Sequence, residues 1–135
     1  MPIPVLTDIP TKEKFAEHLQ TNPGLLIMKF GATWCGPCKK IEKQVHDCFD
    51  KMPDNVQCAL IDIDECFELY AFLQKKKMIN GVPGILAYWK GNLNYIPNDS
   101  VVGADPNQVN AFFERCFKKA IELAAASTGN PLDKA

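Results

Sequence analysis

A chain of 135 residues, 47% hydrophobic and 23% charged, is sized for one domain with a true core. Its formal net charge of −1 argues against a nucleic acid or an anionic membrane as the main partner. No apolar run reaches the length of a membrane-crossing helix. Met1-Pro2-Ile3-Pro4 lacks the basic and apolar regions of a secretion signal, and Leu132-Asp133-Lys134-Ala135 carries no retention or lipidation motif. The expectation is a soluble, cytoplasmic protein. Six cysteines without a secretion signal fit a reducing compartment, where most thiols stay free.

Ile3 to Leu6 reads as a short edge strand, the one place in a sheet where Pro2 and Pro4 are tolerated. Thr11 is placed to cap a helix through Gln20 with Phe15 and Leu19 inward, and Asn22-Pro23-Gly24 stops it. Leu25 to Gly31 is continuously apolar except for Lys29, as in a central strand covered on both faces. A helix from Cys35 to Met52 follows, with Ile41, Val45, Cys48, Phe49 and Met52 at helical spacing and Lys39, Lys40, Glu42 and Lys43 outward. Val56 to Ile63 reads as a second central strand.

Cys66 to Lys77 reads as a helix with Phe67, Tyr70, Ala71 and Leu73 inward and Lys75-Lys76-Lys77 at its C-terminal end. Gly84 to Lys90 and Asn98 to Gly103 form an antiparallel pair joined by a long connection, 91–97. Asp105-Pro106 is a cap followed by proline at the first helical position. The last helix runs to Ala126 with Val109, Phe112, Phe113, Cys116 and Phe117 on one face, and 127–135 is a flexible tail. This order makes an α/β sandwich with a mixed central sheet.

The chemistry concentrates at Trp34-Cys35-Gly36-Pro37-Cys38-Lys39. If a helix starts at Cys35, the two thiols share a face and their Cα atoms fall within disulfide range, roughly 4.4–6.8 Å. The first thiol sits where unpaired helix N–H groups favour an anion, and the thiolate is the nucleophile of disulfide exchange. Pro37 suits an early helical turn, and Gly36 leaves room for a substrate backbone. A lone C-x-x-C is also half of a zinc site. Zinc needs two more ligands at suitable spacing, and Cys48, Cys58, Cys66, Cys116, His18 and His46 are scattered. Two inert buried cysteines fit the intervening Gly-Pro poorly. Redox chemistry is the stronger reading.

The motif Ala32-Thr33-Trp34-Cys35-Gly36-Pro37-Cys38-Lys39 resembles the active site of the thioredoxin family. Ile61-Asp62-Ile63-Asp64-Glu65, Gly81-Val82-Pro83 and Val102-Gly103-Ala104-Asp105 resemble its later landmarks, and the spacing fits from Val5 to Leu123. The resemblance implies a thioredoxin fold over 1–126, a three-layer sandwich of about five strands and four helices. It implies a protein-disulfide reductase that binds no cofactor and cycles Cys35 and Cys38 between dithiol and disulfide. Cys35 attacks and Cys38 resolves, with Gly36, Pro37 and Lys29 in support. Trp34 walls the substrate platform, and a cis Pro83 lets the Val82 backbone pair with a client peptide. Disulfide-containing client proteins and a flavin-containing thioredoxin reductase are the implied partners of a monomer. The rival reading is a thioredoxin-fold binding module with vestigial turnover.

Three positions depart from the family pattern. Lys29 stands where the family carries a buried aspartate, either as a neutral base, as a charged stabiliser of thiolates, or as a purely structural residue. Lys43 replaces a kinking proline, which predicts a straighter helix. Gly84 replaces a common threonine after Pro83, which predicts a looser loop. Cys66, at a helix start, is expected to be exposed, as a free thiol, a sensor or an intermolecular bridge. Cys48, Cys58 and Cys116 are expected in the core.

Overall fold

A strand buried on both faces needs apolar side chains in both directions, and Leu25–Gly31 supplies them. In the computed structural model, which describes residues 3–128, this strand lies inside the sheet and all seven of its residues are buried. The elements run α1 (Lys12–Gln20), β1 (Leu25–Gly31), α2 (Gly36–Lys40), α3 (Glu42–Asp50), β2 (Val56–Asp62), α4 (Phe67–Lys75), β3 (Gly84–Trp89), β4 (Asp99–Val102) and α5 (Pro106–Thr128). The sheet order is β2-β1-β3-β4, with β1 parallel to β2 and antiparallel to β3, and β4 antiparallel to β3.

Alternation along β1 splits the core in two. Leu26, Met28 and Phe30 join Phe15, Leu69 and Tyr88 on the face covered by α1 and α4. Leu25 and Ile27 join Val45, Phe49, Phe112 and Phe113 on the face covered by α3 and α5. Each fully buried Leu, Ile or Phe contributes roughly 1.5–3 kcal/mol of transfer free energy. Lys29 has the parity of Leu25 and Ile27, so it points toward the α3 face. Thr11 caps α1 by accepting the Lys14 N–H (3.2 Å), and Asp105 accepts the Asn107 N–H (2.9 Å) at the start of α5. At the stop before β1, buried Asn22 donates to the Tyr88 carbonyl (2.9 Å) and accepts from Gly24 (3.1 Å). A Cβ on Gly24 would stand 2.6 Å from the Asn55 carbonyl oxygen, so only glycine fits there.

The structure corrects several expectations. The first strand shrinks to one parallel bridge, Leu6 with Ala59, through Leu6 N–H to Cys58 (3.0 Å) and Leu60 N–H to Leu6 (2.8 Å). The proline at position 4 has no N–H to extend that pairing. The helix expected over 35–52 is broken at Ile41 (φ −105, ψ 4) although no proline lies between Cys38 and Met52, so it is not straighter. Phe67 and Phe117, expected inward, are exposed, and Cys48 is only half-buried. Helix α5 reaches Thr128, two residues past the expected end. The rest of the expected tail lies outside the described residues.

The 91–97 connection closes on itself and on α4. Asn92 donates to the Ile96 carbonyl (2.9 Å) and to Asn98 Oδ1 (2.8 Å), and the Tyr88 hydroxyl donates to the Tyr95 carbonyl (2.7 Å). The Tyr95 ring meets Phe72 edge-on and lies under the Lys76 ammonium.

Candidate redox site

Strand β1 ends at Gly31, and the chain turns so that Cys35, not Gly36, becomes the cap of α2. Its backbone is extended and its Sγ accepts the Cys38 N–H at 3.1 Å. Pro37 occupies the first turn, where a missing N–H costs nothing. Cys35 and Cys38 are joined as a disulfide with Cα atoms 5.3 Å apart. Helix α2 has five residues before the break at Ile41. The positive environment of the Cys35 sulfur therefore comes from first-turn N–H groups, the Cys38 N–H foremost, rather than from a long helix dipole. Both sulfur-bearing residues are only 4% exposed.

Of the residues named from sequence, Gly36, Pro37, Val82 and Pro83 line one groove, and Trp34 stands beside Cys35 in the chain and bonds to Asp64. Trp34 is 66% exposed, which removes core packing as its role. Its indole N–H donates to Asp64 Oδ2 at 2.9 Å, and the Asp64 N–H is in turn held by Asp62 Oδ1 at 2.8 Å. Asp64 was not identified as a site residue from sequence, although an Asp-x-Asp turn after a strand is a readable signal. The Val82–Pro83 bond is cis. The Pro83 carbonyl accepts the Gly103 N–H (2.9 Å), which ties this loop to the end of β4. A groove of about 740 Å³ runs between Gly36, Pro37, Val82, Pro83, Gly103 and Ala104. A Cβ at Gly36 would meet no atom within 4 Å, so the surface beside Cys35 is open. Neither the N–H nor the C=O of Val82 has a backbone partner among the described residues.

Gly84 does not loosen the loop. A Cβ there would stand 2.7 Å from Ile79 Cδ1, so the glycine admits close packing of Ile79 behind the cis proline. Cys66 is buried rather than exposed, and burial pushes its thiol up despite a backbone hydrogen bond at Ile9. Asp62, which accepts the Asp64 and Glu65 N–H groups, makes the turn into α4 and swings Cys66 inward.

Behind the disulfide lies a cavity of about 520 Å³ that includes Lys29, Gly31, Cys38, Glu42, His46 and Leu60 in its lining. Lys29 is 8% exposed and shares this cavity with Cys38. Burial lowers its pKa, and the charge of Glu42 opposes that shift. Glu42, expected outward, is exposed, as is His46, and neither was identified from sequence as a site residue, because no local pattern shows that they border this cavity. Among the described residues no group of three or more His, Cys, Asp or Glu side chains is placed to hold a metal. Among them, too, no helix is long and apolar enough to cross a membrane.

A thioredoxin family model matches residues 7–115. The chain is 38% identical over 84 residues to the thioredoxin of Mus musculus, covering 62% of this chain and 75% of that one. It is 29% identical over 101 residues to thioredoxin 3 of Plasmodium falciparum, 74% of this chain and 53% of that one. The solved thioredoxin of Malassezia sympodialis superposes with a TM-score of 0.61 at 28% identity, covering 85% of this chain and 95% of that one. Trichomonas vaginalis thioredoxin, at 22% identity and a TM-score of 0.66, covers 82% and 96% and shares the fold.

Proposed function

The chain belongs to the thioredoxin family and is a protein-disulfide reductase, and we propose that Cys35 is its attacking thiol and Cys38 its resolving thiol. The Cys35 thiolate attacks a client disulfide. A Cys35–client bond forms, and the first client sulfur leaves as a thiolate and takes a proton from water. Cys38 then loses its proton and attacks Cys35 Sγ. The second client sulfur leaves with the electron pair, and the Cys35–Cys38 disulfide closes. The client gains two electrons and the dithiol loses two. The observation that carries this assignment is the hydrogen bond from the Cys38 N–H to Cys35 Sγ, since a donor aimed at that sulfur favours its anion.

A client peptide lies in the groove between Pro37 and Ala104, with Trp34 as one wall. It pairs with the free backbone groups of Val82 as an added strand, and Pro83 fixes that segment beside the disulfide. The open surface at Gly36 lets the peptide approach. No cofactor is needed, because the dithiol is itself the electron carrier. Thioredoxin reductase is the recycling partner in this reading, and the protein acts as a monomer in a reducing compartment such as the cytoplasm. Two of the departures from the family pattern fit a working redox site: Gly84 packs against Ile79, and Lys29 borders the cavity beside Cys38.

Insulin reduction with dithiothreitol as electron source tests the assignment. Cys35→Ser abolishes turnover. Cys38→Ser accumulates a mixed disulfide with the client, detected as an added mass, because attack proceeds and resolution cannot. Turnover surviving in Cys35→Ser overturns the roles.

A further inference from the structure

Lys29 is the one charged side chain on β1, and the sheet gives it no partner. Its cross-strand neighbours are Leu60 on β2 and Ile85 on β3. Among the described residues it makes no ion pair and no hydrogen bond to protein. Its Nζ is nevertheless not sealed from solvent, for it is absent from the buried atoms lacking a partner, and it borders the cavity behind the disulfide. The amine therefore reaches along the strand toward that space, which is open to solvent.

The same space holds Cys38. Both Lys29 Nζ and Cys38 Sγ lie 3.5 Å from the point where a Cβ of Gly31 would stand. Glycine at that position leaves no side chain there, and the two atoms are at most twice that distance apart. The charged and titratable groups facing the cavity are Lys39, Glu42 and His46 from the helices, Asp62 from the end of β2 and Glu65 from the turn after it. Of these Glu42 acts on Lys29 in the sense that keeps it protonated.

We propose that Lys29 acts at neutral pH as an ammonium that stabilises the Cys38 thiolate in the resolving step, while water in the cavity carries off the thiol proton. The inference rests on the assignment of Cys38 as resolving thiol and makes Lys29 a positioning residue for it. Cys38 gives its proton to cavity water, and its thiolate attacks Cys35 Sγ. The Cys35–client bond breaks, the client sulfur leaves with the electron pair and is protonated from solvent, and Lys29 keeps its proton throughout. A neutral lysine acting as base would take that proton instead. The two mechanisms differ in their dependence on pH. A fixed charge moves the pH at which Cys38 ionises. A base supplies rate only where the amine is neutral while the thiol still carries its proton, so its contribution vanishes toward acid pH.

The test uses the reduced full chain and 5,5′-dithiobis(2-nitrobenzoate), read by stopped flow from about pH 5 to about pH 10, spanning the ordinary thiol value. The first coloured thiolate reports attack by Cys35, and the second reports resolution by Cys38. Lys29→Met is expected to leave the first release unchanged and slow the second about tenfold at neutral pH. Its midpoint moves up by about one unit, and the rates converge at alkaline pH. Lys29→Arg keeps the charge and stays near the wild-type profile. An unchanged second release in Lys29→Met overturns the proposal, as does an equal loss at every pH, or Lys29→Arg as slow as Lys29→Met. Should Lys29→Met not fold, Lys29→Gln carries the same expectations. If Cys38→Ser fails to hold the mixed disulfide, the assignment of Cys38 falls. If it holds it while Lys29→Met resolves normally, only the ammonium mechanism falls.

Discussion

Cys35 and Cys38 are each 4% exposed, Cys58 is 3% and Cys116 is 2%. Exposure alone therefore does not separate the redox pair from the core thiols. Their partners do. The Cys35 sulfur receives an N–H, and the Cys38 sulfur shares a cavity with an amine. Cys58 and Cys116 sit among Val56, Val109 and Phe112 on the α3–α5 face. There burial pushes both thiols up to about 12. A sulfur in this fold is reactive because of the dipoles and charges aimed at it, and a few ångströms of chain decide which it meets.

The largest expected consequence is in alkylation of the reduced protein. A thiol near 12 holds about three thousandfold less thiolate at neutral pH than an ordinary thiol near 8.5. Cys35 should therefore react with iodoacetamide at least about a thousandfold faster than Cys58 or Cys116, as followed by peptide mass spectrometry. Cys48 and Cys66, which burial raises less, fall between. Comparable rates at Cys35 and Cys58 would erase the contrast between partnered and merely buried sulfurs.

A second test separates chemistry from packing. Cys58→Ser puts a hydroxyl among apolar neighbours with no partner and should cost about 1–3 kcal/mol of stability in urea. Turnover per folded molecule should stay unchanged. Cys35→Ser should do the reverse, removing turnover with little loss of stability. A Cys58→Ser variant that folds normally but turns over slowly would connect the core thiol to the redox cycle.

The reactive pair was legible because its signals are local. C-G-P-C carries its own helix start, and the apolar run of β1 declares a strand buried on both faces. The caps at Thr11 and Asp105 appear where their residue types place them. What was not legible depends on tertiary packing. Nothing in Lys39-Lys40-Ile41-Glu42 announces a break, yet Ile41 leaves helical geometry while wholly buried in the core shared with Val45 and Phe112. Glu42, read as outward, is exposed, yet it acts on Lys29 from the cavity lining, a relation between helix and strand that no helical pattern shows. Gly84 read as loose because its neighbour Ile79 is distant in pattern though adjacent in space. Cys66 read as exposed because the capping role of Asp62 shifts the turn by a few residues.

The smallest effect concerns what Lys29 costs the fold. Its pKa in the folded protein is lowered, chiefly by burial, with Glu42 opposing, while the unfolded chain keeps the ordinary lysine value of about 10.4. Below the folded pKa both states hold the proton, and the penalty of burying the charge is fully present. Between the two values the unfolded state binds more protons, so stability rises with pH there. Above about 10.4 the penalty is gone. Lys29→Met removes the charge at similar length on a strand whose other side chains are apolar. It should stabilise the oxidised protein by about 1 kcal/mol at neutral pH, and this advantage should shrink as pH rises toward the ordinary lysine value. Urea unfolding of both proteins at neutral and alkaline pH measures it. A Lys29→Met protein less stable than wild type at neutral pH would mean that the fold holds the ammonium through favourable contacts. A gain that closes with pH, together with slower resolution by Cys38, would mean that the fold tolerates a buried charge for what it does to the neighbouring sulfur.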